Sequence, residues 1–234
     1  MQALILTGGQ GKRMRSLTDK IPKPLLPVGD VPFLEILINF LKKQEVEDFI
    51  LATGYKADMI ENYFSTGEKF NVKIFHSKEK IPLDTGGAVK KAENIIKDED
   101  ILILNGDSFI DFDLNKMLEF HKKMGKPITM AVTQVRNPSC SGQLMIDNNI
   151  VTRFEEKGKR TKQGFINAGV YIFQKDILKK FPENKKISLE KEIFPKFAGK
   201  ISAFKVNGYF IDIGIEKDYR KFNQDIKKLN QIIR

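Results

Sequence analysis

Ala3-Leu4-Ile5-Leu6-Thr7-Gly8-Gly9-Gln10-Gly11-Lys12-Arg13 sets four apolar residues directly against a glycine-rich, cationic loop. A run this short, with no polar alternation, has the pattern of a strand buried on both faces. The loop after it extends from Gly8 to Asp30 and holds three prolines, Pro22, Pro24 and Pro27. Glycines let a backbone approach phosphate oxygens and turn its N–H groups inward, and Lys12 and Arg13 add charge to the same loop. Two other phosphate loops fail on spacing. A Walker loop needs a glycine five residues before its Gly-Lys pair and Ser or Thr after it, where Leu6 and Arg13 stand. A dinucleotide fingerprint needs a third glycine where Met14 stands.

The rest of the first half alternates short apolar runs with amphipathic stretches. Phe33, Leu34, Leu37, Ile38 and Leu41 have the spacing of one helical face within Pro32 to Lys43. Strands are expected at 49–52, 72–75 and 101–104, and helices at 58–64 and 87–96. This alternation predicts an α/β fold: a doubly wound, mostly parallel, Rossmann-like sheet with helices on both faces. Such sheets bind ligands beyond the carboxyl ends of their strands, so the loops starting at Gly8, Gly54 and Asn105 should line one crevice. Later strands at 128–134, 143–146, 150–155 and 165–173 predict a small antiparallel β addition, with Asn148-Asn149 as a hairpin turn. Lys157 to Gly164 reads as a hydrophilic loop. Ser188 can cap a helix towards Phe197, strands are expected at 201–205 and 209–213, and a closing helix at 217–232. With no repeat and no linker, residues 1–234 read as a single domain.

Bulk composition narrows the function classes. The 234 residues include 41% hydrophobic and 30% charged residues, ordinary for a globular chain able to hide a substantial core. No apolar run approaches the length of a membrane span, and the amino terminus has no charged leader, so the cytoplasm is the expected location. Cys140 is the single cysteine, and His76 and His121 are the only histidines, which excludes an internal disulfide and argues against zinc. A net charge of +10 fits either nucleic acid or a small polyanionic substrate. The basic residues are spread along the whole chain without RNA-binding aromatics or zinc-finger spacing, so no nucleic-acid partner is expected.

Three further segments carry chemistry. Prolines on both sides of Lys23 restrict its backbone, so this cation has little freedom to lose. Asn105-Gly106-Asp107 closes a strand with a carboxylate, where magnesium, an oxygen-binding ion that bridges protein to phosphate, can be held. Phe210-Ile211-Asp212-Ile213-Gly214 supplies a second carboxylate in an apolar context.

Together these segments resemble the sugar nucleotidyltransferase superfamily, nearly from end to end. Its Gly-Gly-x-Gly-x-Arg loop and Lys-Pro-Leu-x-Pro segment stand here as Gly8 to Arg13 and Lys23 to Pro27. Leu83-Asp84-Thr85-Gly86-Gly87-Ala88 is similar to its second glycine turn, beside nucleobase and ribose. Asn105-Gly106-Asp107 matches its metal aspartate, Phe154-Glu155-Glu156-Lys157 its Glu-Lys pair for the sugar and sugar phosphate, and Asn167-Ala168-Gly169 its sugar-hydroxyl segment. Tyr209 to Ile215 and Ser188-Leu189-Glu190-Lys191 are similar to the bacterial D-glycero-D-manno-heptose 1-phosphate guanylyltransferases, which make GDP-heptose for surface polysaccharide. Two departures stand out: Ile215 replaces the Thr common in thymidylyl and glucose branches, and Gly158 replaces a Pro after the Glu-Lys pair.

The resemblance implies a GT-A-like nucleotidyltransferase fold with a nucleotide-binding half over about 1–125 and a sugar-binding half over about 126–234. It implies GTP or another nucleoside triphosphate, a sugar 1-phosphate and Mg2+. Asp107 and Asp212 would be metal ligands, and Arg13 and Lys23 the catalytic cations. Thr7, Gly8, Gly9, Gly11, Thr85 and Gly86 would hold the nucleotide, and Glu156, Lys157, Asn167 and Gly106 the sugar phosphate. The rival readings are another substrate pair (mannose or glucose 1-phosphate, or CTP with a phosphorylated alcohol) and a silent nucleotide-sugar-binding module. Phe-rich segments near the C-terminus could support a homodimer or serve the core equally well.

Overall fold

A computed structural model describes residues 1–136, 138, 142–155 and 163–229, and of Lys12, Arg15 and Ser16 the backbone alone. The chain enters as β1 (Ala3–Leu6), passes a short helix α1 (Arg15–Thr18) and a two-stranded ribbon of β2 (Pro27–Val28) and β3 (Val31–Pro32), and continues into α2 (Phe33–Lys42). Next come β4 (Asp48–Thr53), α3 (Ala57–Phe64), β5 (Lys73–Lys78), α4 (Asp84–Lys91) and β6 (Asp100–Asn105). The chain then forms β7 (Ser108–Ile110), α5 (Leu114–Met124), β8 (Ile128–Val135), β9 (Gln143–Asp147), β10 (Ile150–Glu155) and β11 (Gly164–Gln174). It closes with α6 (Phe194–Lys196), β12 (Ile201–Lys205), β13 (Phe210–Asp212) and α7 (Glu216–Asp225).

Among the described residues nine strands form one continuous sheet in the order β5-β4-β1-β6-β11-β8-β12-β10-β9. The first four run parallel, as the helical crossovers between them require. β11 then pairs antiparallel with both β6 and β8, so the expected β addition extends the main sheet rather than standing beside it. Along β1, β4 and β6 successive side chains divide between two cores. Ala3, Ile5, Leu51 and Leu104 face α2, α3, α5 and α7, while Leu4, Ile50 and Ile103 face α4 and the segment around Leu189 and Phe194. This two-sided burial explains why β1 and β6 read as unbroken apolar runs.

Where the pattern is amphipathic, the boundaries follow it. α2 buries seven residues from Phe33 to Leu41. α5, which the sequence reading leaves unassigned, hides only Leu114, Met117 and His121 among its eleven residues. It is set by its ends: Asp113 accepts from the Lys116 N–H at 3.0 Å, and Gly125 closes the helix at φ 58°. α4 ends at Lys91 instead of continuing to Ile96, and α7 ends at Asp225, short of the expected 232. The expected loop from Gly8 to Asp30 holds 3-10 turns at Lys12–Met14 and Lys23–Leu25 in addition to α1 and β2. Among the described residues no helix is long and apolar enough to cross a membrane.

Candidate active site

β7 and β13 form a two-stranded antiparallel ribbon off the end of β6, with Asp212 opposite Ser108. The Ile213 N–H donates to the Asp107 carbonyl at 2.9 Å, which locks the two strand ends side by side. The ribbon thus brings Asp107 and Asp212 to one point, although 105 residues separate them in sequence (212 minus 107). Lys23 reaches the same point: its Nζ lies 2.7 Å from Asp107 Oδ2, with only 10% of its side chain exposed against 34% for Asp107. The 3-10 turn at Lys23–Leu25, opened by Pro22 in extended conformation, fixes that reach.

Arg13 arrives from the glycine loop. A Cβ on Gly214 would stand 2.8 Å from Arg13 Nη2 and 2.8 Å from Asp212 Oδ1, so glycine leaves room for guanidinium and carboxylate together. Burial pushes the Asp212 carboxyl up, and the negative charge of Asp107 pushes it further. Lys23, the Gly214 N–H and Arg13 pull it back. The Gly214 N–H donates to Asp212 Oδ1 at 2.7 Å. Two carboxylates that repel each other in a partly dry site, with cations gathered around them, form an oxygen-only donor pair suited to a hard divalent ion.

Of the glycines in the loop, Gly9 is exposed and a Cβ there would meet nothing within 4 Å. Gly11 takes φ +61°, a conformation that disfavours side chains, and packs on Thr18. Gly8 lies against Gly54, and its carbonyl accepts from the Tyr55 N–H at 3.2 Å.

Several expected ligand donors are already engaged within the protein. The Thr7 N–H and hydroxyl both donate to the Ala52 carbonyl, at 2.9 and 2.8 Å, leaving no donor for a base. Gly86 and Gly87 donate their N–H groups to the Ile187 carbonyl at 2.8 and 3.1 Å. The Thr85 hydroxyl donates to Glu190 Oε2 at 2.9 Å and accepts from the Leu189 N–H at 2.8 Å. This second glycine turn is therefore docked onto the 187–190 segment, and its glycines serve close packing. Gly106 does the same at the end of β6. Its N–H donates to the Leu6 carbonyl at 2.9 Å, and a Cβ would stand 2.5 Å from that oxygen.

Asn167 Nδ2 donates to the buried Tyr171 hydroxyl at 2.7 Å, and Asn167 Oδ1 accepts from the Gly169 N–H at 2.9 Å. Among the described residues one amide proton and one lone pair of Asn167 have no further partner. Glu156 and Lys157 lie outside the described residues. The sequence reading passes over Tyr171, which burial and the charge of Glu190 hold well above its ordinary range, so it stays a neutral phenol. No local pattern marks it, since it reads simply as part of an apolar strand.

Residues 2–229 match the nucleotidyl transferase family. The chain belongs to that family. This nucleotidyl transferase is 39% identical over 230 residues to a D-glycero-alpha-D-manno-heptose 1-phosphate guanylyltransferase from Aneurinibacillus thermoaerophilus, covering 97% of this chain and 99% of that one. It is 41% identical over 226 residues to the protein of the same name from Campylobacter jejuni, covering 95% and 98% of the two chains. The crystal structure of HddC from Yersinia pseudotuberculosis, complexed with GMP-PN, superposes with a TM-score of 0.86 at 35% identity over 96% of this nucleotidyl transferase and 99% of that chain.

Proposed function

We propose that this nucleotidyl transferase moves GMP from GTP onto D-glycero-alpha-D-manno-heptose 1-phosphate, releasing pyrophosphate and forming a GDP-heptose. The convergence of Lys23, Arg13, Asp107 and Asp212 on one point carries the chemistry. The full-length similarity to two heptose 1-phosphate guanylyltransferases supports the choice of substrates.

A sugar phosphate oxygen, ionised near neutral pH, forms a bond to the α-phosphorus while the bond to the bridging β-phosphate oxygen breaks. The electron pair leaves with pyrophosphate, so no strong base is required. The obstacle is one anion approaching another, and positioning with charge neutralisation removes it. Arg13 and the backbone N–H groups of Gly9 and Gly11 hold the departing phosphates. Lys23 neutralises charge at the α-phosphorus, Lys157 grips the sugar phosphate, and Glu156 and the free part of the Asn167 amide orient sugar hydroxyls. Asp107 and Asp212 would hold a divalent ion, magnesium by the hardness of its donors, which when bound supplies further positive charge to the phosphates.

The test is pyrophosphate release with magnesium, pairing GTP, ATP, CTP, UTP and dTTP with the manno-heptose, mannose and glucose 1-phosphates. Release confined to GTP with the heptose is expected. Release with another pair would keep the reaction and overturn the substrates, and silence of the folded protein across the panel would overturn both.

A further inference from the structure

Lys23 sits on a stretch that leaves the main sheet. Between Gly8 and Phe33 the only strands are β2 and β3, which pair with each other alone. The Lys23 turn is closed by bonds of its own. The Leu25 N–H donates to the Pro22 carbonyl at 2.8 Å, and the Leu26 N–H to the Lys23 carbonyl at 3.1 Å. These bonds set the shape of the turn, and its distance from Asp107 depends on what the stretch is packed and tied against. Leu26 and Val28 are buried and anchor its inner side. Pro27 and Gly29, between and after them, are exposed, and their backbone is tied from outside.

The ties come from α7, at the other end of the chain. The Tyr219 hydroxyl donates to the Pro27 carbonyl, and Asn223 Oδ1 accepts from the Gly29 N–H at 3.1 Å. Four residues apart, Tyr219 and Asn223 stand on one face of the helix, a turn from each other. Beside them Phe222 is the one residue of α7 that is fully buried. Its ring lies 5.5 Å from Phe33, 5.7 Å from Phe109 and 6.2 Å from Tyr209. Phe33 follows β3, Phe109 lies just past Asp107, and Tyr209 just before Asp212. One short helix therefore touches all three segments that bring Lys23, Asp107 and Asp212 together.

Among the described residues neither Tyr219 nor Asn223 is hydrogen-bonded to Lys23, Asp107 or Asp212. What they hold is backbone, four and six positions after Lys23 (27 minus 23; 29 minus 23). A misplacement of about 1 Å in a transition-state contact can cost on the order of a hundredfold in rate, so a tether at this distance can act on the chemistry. We infer that Tyr219 and Asn223 are positioning residues of this nucleotidyl transferase, holding the 23–29 stretch so that the Lys23 ammonium stays at the point where Asp107 and Asp212 meet. The assignment rests on the charge-neutralising role proposed above for Lys23 and names what keeps that charge in place.

The test is a double-mutant cycle on the full chain, read as pyrophosphate release with magnesium and the substrate pair that the wild-type protein turns over. Tyr219→Phe deletes only the hydroxyl and keeps the ring, and Asn223→Ala removes the second tie independently. Each should lower kcat by about 3- to 10-fold, the size of one net hydrogen bond, and leave the KM for the triphosphate within about twofold. In the Lys23→Ala background both changes should lose their effect on kcat, because no ammonium is left to position. A merely structural role would lower kcat by the same factor in both backgrounds, and that result would overturn the assignment. So would unchanged kcat in both single variants with wild-type melting curves. Normal turnover by Lys23→Ala would overturn the role of Lys23 and this assignment with it, while release that depends on GTP would leave guanylyl transfer standing.

Discussion

Lys23 and Asp107 are 84 positions apart and meet at 2.7 Å, so the ion pair is a product of folding and not of local sequence. Removing either cation should leave the fold and stop the chemistry. Arg13→Ala and Lys23→Ala are each expected to lower kcat by about a hundred- to thousand-fold, the usual cost of a lost transition-state charge contact. Single-turnover pyrophosphate release on variants with unchanged melting curves measures this, and near-normal turnover in either would remove its role. Gly9 gives a contrasting case, since a Cβ there meets nothing within 4 Å. Gly9→Ala should melt like the wild type but raise the KM for the triphosphate, because the methyl group would occupy the face proposed for the phosphates. An unchanged KM would place the phosphates elsewhere. At this scale the sequence showed which residue types gather, through Gly8 to Arg13, Lys23 and two strand-end aspartates. It could not show that the Thr7 hydroxyl or the Gly86 N–H was already engaged, because their partners, Ala52 and Ile187, are 45 and 101 positions away (52 minus 7; 187 minus 86).

The elements that carry these residues differ in how plainly they could be read. β1 and β6 are buried on both faces and announce themselves as apolar runs. α5 buries three residues on a lysine-rich surface and depends on its caps, so periodicity alone passes it by. Its packing makes a test. His121 is buried on α5, with Nδ1 2.7 Å from Thr129 Oγ1 on β8. Burial lowers its pKa below 6.5, while the charge of Asp100 raises it in part. The unfolded chain therefore binds the proton first as pH falls, so the stability from His121 is complete above 6.5 and drains below it, by at most about 1.4 kcal/mol per pH unit. Denaturant midpoints between pH 7.5 and 5 should show this slope in the wild type and a flatter one in His121→Asn, which keeps a partner for Thr129 without titrating. Parallel slopes would remove His121 from the account. The join between β6 and β1 is tighter still, since a Cβ on Gly106 would meet the Leu6 carbonyl at 2.5 Å, backbone that cannot swing aside. Gly106→Ala is expected to cost about 1–3 kcal/mol through overpacking. In a chain of this size that lowers Tm by roughly 2–4 °C per kcal/mol. A melting curve identical to the wild type would show that the strand ends yield to the added methyl group.

Across the whole molecule the net charge of +10 looks at first like the mark of a nucleic-acid partner. The fold gives it another meaning. Arg13 and Lys23 gather with Asp107 and Asp212 beside the ends of the sheet's strands, where parallel sheets take ligands in a crevice, and both proposed substrates are phosphate anions. A positive field around such a crevice raises the encounter rate of anions, and salt weakens it as the Debye length shrinks to about 10 Å at 0.1 M and about 3 Å at 1 M. The contacts that act on bound substrate are short and partly dry, so they are screened much less. Raising the salt from low concentration to about 0.5 M with free magnesium held constant should therefore lower kcat/KM for the triphosphate by roughly tenfold and leave kcat nearly unchanged. If kcat fell in parallel, the charge would be acting within the reacting complex instead of on its formation. If neither parameter moved, the excess of lysine would be solvated surface with no part in substrate capture, and the cations that matter would be reduced to those at the crevice itself.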